Sequence, residues 1–104
     1  MIKNKILNKL ENKFGKNKIM IYDESKKHNL HNRKFSHFKI IIISDQFTNK
    51  NLITRHKYIY TLLLNIINKC NIHGISIHTY TKNEFINIKN NDIVSPNCMN
   101  NFSV

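Results

Sequence analysis

Acidic residues are scarce in this chain: six Asp and Glu stand against seventeen Lys and Arg, a formal net charge of +11 at pH 7. Cysteine is scarcer still. Cys70 and Cys98 alone are too few for a disulfide-stapled scaffold. Two glycines and one proline exclude collagen-like, linker-like and low-complexity architectures. The longest apolar run, residues 40–43, has four residues, whereas a membrane helix needs about 20. The opening MIKNKILNKLENK breaks its apolar positions with lysine every few residues, so it lacks the continuous stretch of a secretory signal. What remains is 104 residues, 40% hydrophobic and 10% aromatic, enough for one packed domain and too apolar for a disordered chain. The expected location is the cytosol.

Arginine is also rare: fifteen of the seventeen cations are Lys, and only Arg33 and Arg55 are Arg. A strongly basic balance points to an anionic partner, nucleic acid first. Base readers favour Arg for its bidentate fork, and that signature is missing. Asn, Ile and Lys together supply 51 of the 104 residues, and their codons are AT-rich, so codon drift offers a second source for the charge. Composition leaves both open.

Periodicity orders the chain as α-β-β-α-β-α. Ile2, Ile6, Leu10 and Phe14 fall four apart, with Leu7 widening the stripe, which predicts an amphipathic helix over residues 2–14 stopped by Gly15. Residues 18–22 read as a short strand. Residues 38–44 (FKIIIIS) are β-branched and continuous, as in a central strand buried on both faces. The His-rich stretch 23–37 between them is longer than a tight hairpin needs. A second helix is predicted over 54–69, with His56, Ile59, Tyr60, Leu63 and Ile67 on its inner stripe. A third strand is predicted over 71–79, with His73, Ile75 and Ile77 on one face. Thr81-Lys82-Asn83-Glu84 is a capping-box sequence that opens a last helix through about residue 89. Strands one and two can pair antiparallel across their loop, and strands two and three must run parallel through a right-handed crossover. The expected fold is α+β, a three-stranded mixed sheet with helices on one face. Residues 1–89 form the domain and residues 90–104 an Asn-rich C-terminal tail.

Histidine carries most of the chemistry. His28, His31 and His37 share one stretch, but a closed zinc site usually needs four ligands, often with thiolates at short spacing, and no Cys lies there. His56 and His37 read as packed structural residues. His73 differs: it opens the third strand just before Gly74, whose missing side chain leaves the backbone open to a close-approaching partner. An imidazole there can donate to a metal held mostly by another molecule. Catalysis is not expected. No nucleophile motif surrounds Ser25, Ser36 or Ser44, neither Cys sits in a CxxC, Gly15 and Gly74 are isolated rather than part of a phosphate loop, and the six acids offer no acid–base pair.

Several strings together resemble the BolA family, most closely its proteobacterial branch: DES-x-x-HN (23–29), SHFK (36–39), SD-x-F-T (44–48), RHK-x-IY (55–60), IH-x-x-x-IHTYT (72–81) and SP-x-C (95–98). They occur in the family's order across nearly the whole chain. The resemblance implies a fold related to the second type of KH domain. It also implies a cytosolic adaptor that pairs with a monothiol glutaredoxin, often around a shared [2Fe–2S] cluster, with none bound tightly by the monomer alone. By this resemblance His73 is the C-terminal ligand and His28 the loop ligand, with His31 as a substitute for His28. Histidine replaces thiolate on one iron in Rieske centres, so such mixed ligation is chemically reasonable. Lys27, Arg55 and Lys57 would border the site and attract glutathione carboxylates.

Bacterial members of the family are also described as DNA-binding transcriptional regulators of stress response and cell shape. For that role Arg55, Lys57 and Lys69 on the second helix are the implied contacts. KH-type RNA binding is disfavoured, because the phosphate-clamping GxxG loop is absent. Alone, the chain is expected to be a monomer or weak homodimer. It departs from the family pattern at Lys57, where Arg is usual, at Asn49, where Gly is frequent, and around residues 31–33, which lack the usual Gly and Pro.

Overall fold

The computed structural model describes residues 2–16, 18–25 and 36–90. Helix α1 (Ile2–Phe14) is followed by strands β1 (Ile19–Asp23) and β2 (His37–Ile43), a 3-10 turn (Asp45–Phe47), helix α2 (Leu52–Lys69), strand β3 (Gly74–Tyr80) and helix α3 (Lys82–Asn90). The sheet order is β1-β2-β3, with β1 antiparallel and β3 parallel to β2. This is the α+β mixed sheet that periodicity predicts.

Alternation decides the core. On β2, Phe38, Ile40 and Ile42 are buried, while Lys39, Ile41 and Ile43 are only half-buried. The continuous apolar run suggested burial on both faces; the structure corrects this, because α1 and α2 pack on one face. Their stripes, Ile6, Leu10 and Phe14 from α1 and Ile59, Leu63 and Ile67 from α2, close a single cluster with Ile21, Ile77 and Phe47. Each fully buried side chain of this size contributes about 1.5–3 kcal/mol.

The helix ends use side-chain and backbone caps. Asn51 Oδ1 accepts from the Thr54 N–H at 2.8 Å, so α2 starts two residues earlier than periodicity alone suggests. At its other end Asn71 takes a left-handed φ of 51°, and the Ile72 N–H donates to the Ile67 carbonyl at 3.1 Å. That is a Schellman closure, with both isoleucines in the core. It commits residues 71–73 to a turn, so β3 begins at Gly74 rather than at residue 71, and His73 precedes the strand instead of sharing its face with Ile75 and Ile77.

Candidate functional site: the sheet end at His73

Two polar centres organise the motifs singled out in the sequence. The first lies where β1 ends and β2 begins. Asp23 Oδ1 accepts from the Ser25 N–H at 3.0 Å and from its hydroxyl at 2.6 Å. Ser25 Oγ in turn accepts from the His37 N–H at 3.1 Å. The Ser36 carbonyl accepts from both the His73 N–H, at 3.1 Å, and the Gly74 N–H, at 3.0 Å. The strings around Asp23, Ser36 and His73 thus meet at one end of the sheet. Segment 26–35 both leaves and returns there, and the His73 backbone is pinned to its return point.

The His73 side chain is exposed at this end. Gly74 serves a different purpose from the one its sequence position suggested. A Cβ at residue 74 would fall on the His37 imidazole, so the glycine makes room for an internal ring and leaves no gap for a partner. The same His37 ring approaches Ser76 Oγ through Nε2 at 3.3 Å. His28, His31 and Lys27 lie outside the described residues. Among the described residues no three His, Cys, Asp or Glu side chains are grouped to hold a metal ion. His73 therefore fits the part of one donor in a ligand set drawn from elsewhere as well. His78, half-buried on β3, has its pKa lowered by burial and then by Lys39 and His56, with Glu24 acting in the opposite direction.

The second centre is Arg55, and here the structure corrects the sequence-based assignment. Its side chain is 5% exposed. Nη1 and Nη2 bind both oxygens of Glu84, at 2.6 and 3.0 Å, Nε donates to the Lys50 carbonyl at 2.8 Å, and Nη1 reaches the Thr79 carbonyl at 3.3 Å. The guanidinium also stands 5.6 Å over the Phe47 ring. Arg55 is an internal tie between α2, β3 and α3, and its charge is not offered to a nucleic acid. Lys57 and Lys69 are exposed. Glu84 closes the predicted capping box as well: its Oε1 accepts from the Thr81 N–H at 2.8 Å, and Thr81 Oγ1 accepts from the Glu84 N–H at 3.2 Å. The Arg55 fork holds the Glu84 carboxyl below the usual carboxylate range. A signal for this was present in the spacing, since Arg55 falls four residues before Ile59 on the stripe continued by Leu63 and Ile67.

Comparison with known proteins agrees with these motifs. Residues 10–84 match the family described as BolA-like protein. The DNA-binding transcriptional regulator BolA of Escherichia coli (strain K12) is 34% identical over 98 residues, spanning 94% of this chain and 92% of that protein; its name is a regulator's and not an enzyme's. Among solved structures, BolA1 from Arabidopsis thaliana superposes with a TM-score of 0.71 at 27% identity, covering 81% of this chain and 95% of that one. The BolA domain of SufE1 from Arabidopsis thaliana reaches 0.68 at 34% identity, covering 78% and 92%. With the family match spanning most of the chain and these relatives nearly whole, the chain belongs to the BolA family.

Proposed function

We propose that this protein is an adaptor that pairs with a monothiol glutaredoxin and shares a [2Fe–2S] cluster with it. His73 would donate one nitrogen and His28 the second, with His31 as the substitute. The observation that supports this reading is the exposed His73 ring, on a backbone hydrogen-bonded to Ser36 at the root of the segment that carries His28. A donor held that way costs little ordering entropy when a second protein brings the remaining ligands. The cluster, when bound, would supply a redox-active or transferable iron–sulfur unit. The chain's own task is to present a neutral imidazole, so acid competes for the same nitrogen.

Mixing the protein with monothiol glutaredoxin, glutathione, iron and sulfide should yield a heterodimer with visible cluster absorption. In His73→Ala that spectrum should change and the heterodimer lose cluster faster, and lowering the pH of the wild type should move it in the same direction. An identical spectrum and lifetime in the variant would remove His73 from the coordination sphere.

A second reading is favoured by the relative's name: DNA-binding transcriptional regulation of the general stress response and cell morphology. With Arg55 committed internally, Lys57 and Lys69 remain on the exposed side of α2. Preference for promoter over random duplex is its test, since equal affinity would reduce the activity to charge alone.

A further inference from the structure

AT-biased codons can explain how many lysines the chain has, but not where the fold puts them. Lys5, Lys9 and Lys13 are all exposed on α1 and recur every fourth residue, so three ammonium groups follow one flank with a rise of about 6 Å between them. The helix's one carboxylate, Glu11, is two residues from Lys9 and from Lys13 and so lies on the opposite flank. At the end of this stripe a concavity of about 220 Å³ opens between α1, the 3-10 turn and α2. Its lining includes Lys13, Lys50 and Arg55 with Gln46 and Tyr58, and no carboxylate. The Arg55 charge is answered by Glu84, which leaves two uncompensated ammonium groups at the rim.

The concavity is braced from both sides. Gln46 Nε2 donates to the Lys13 carbonyl at 3.2 Å, which ties the turn to α1. Lys13 Nζ stands 5.7 Å from the centre of the Tyr58 ring. No acidic residue occupies the first turn of α2, so the positive end of that 18-residue helix is not neutralised locally.

We propose that the Lys5–Lys9–Lys13 flank and this concavity form a track for the phosphate backbone of duplex DNA, with one phosphate seated between Lys13 and Lys50. The proposal rests on the DNA-binding reading above and moves its contact surface from α2 to α1. Lysine offers point charges without a bidentate fork, so the track fixes the duplex in place without reading its bases.

The test compares two triple variants that remove equal charge from exposed positions: Lys9→Gln/Lys13→Gln/Lys50→Gln on the track and Lys57→Gln/Lys69→Gln/Lys82→Gln off it. Binding to a labelled duplex of random sequence is followed by anisotropy between 50 and 200 mM salt, with thermal melts to establish that each variant is folded. Neutralising the track should flatten the log K against log salt slope by about 3, near 0.9 per lost phosphate contact, and the off-track set should change it by less than about 1. Lys9→Arg/Lys13→Arg/Lys50→Arg should keep the wild-type slope. Equal loss in the two Gln triples, with the wild type binding, overturns this surface alone. A wild type that ignores duplex DNA at 50 mM salt overturns the DNA-binding reading together with it.

Discussion

At the scale of single residues, the Arg55–Glu84 pair does the work that the charge count assigned to a surface. Breaking a buried ion pair from one side costs about 3–5 kcal/mol when both partners are dry. Glu84 is 40% exposed, so Glu84→Gln should cost less, about 1–2 kcal/mol after allowing for solvent screening. The pH dependence follows from the direction of two shifts. The folded-state value of Glu84 is depressed, so its contribution is present above the ordinary carboxylate range and is lost as pH falls through the lowered value. His78 is also lowered, mainly by burial. The fold therefore favours its neutral ring, and stability falls as pH drops below the ordinary value of 6.5. Urea midpoints measured from pH 8 to pH 3 should decline in two steps. Glu84→Gln should flatten the lower step and His78→Gln the upper one, and profiles parallel to wild type would refute both assignments.

At the scale of elements, what matters for function is how each helix hands the chain on. The closure of α2 through Asn71 sends the chain from Ile72 in the core to an exposed His73 within one residue. Asn tolerates the left-handed region better than any β-branched residue. Asn71→Gly should be neutral or slightly stabilising, whereas Asn71→Val should cost about 1–2 kcal/mol in a urea melt. An Asn71→Val midpoint equal to wild type would mean that the turn is not held by this conformation. Asn49, with φ of 64°, gives the physical sense of a departure noted in the sequence: the family's frequent glycine is replaced by the other residue type that accepts this backbone. The capping box of α3 belongs to the same scale, since Glu84 serves its own helix and Arg55 together.

At the scale of the whole molecule, +11 on 104 residues means self-repulsion across a small surface. Raising sodium chloride from 20 to 200 mM should therefore raise the melting temperature, because screening acts on the net charge more strongly than on the partly buried Arg55–Glu84 pair. A lower melting temperature at higher salt would show that attractive surface pairs dominate instead. Among the described residues no helix is long and apolar enough to cross a membrane. The two proposed functions use separate regions, the sheet end at His73 for a protein partner and the α1 flank for a duplex, so each can be removed without the other.

Element types and order were legible in the residues because the signals are local. A period of four in residues 2–14, alternation along the strands and the Thr81–Glu84 capping box each act within a few positions of the chain. The parallel pairing of β2 with β3 followed from an intervening helix, again a matter of sequence order. The direction in which Arg55 points, the ring that fills the space over Gly74 and the burial of only one face of β2 were decided by the tertiary structure. Each depends on a partner distant in sequence, Glu84 for Arg55, His37 for Gly74 and the α1–α2 layer for β2. A side chain's period says which face it shares, but only the packed fold says what waits on that face.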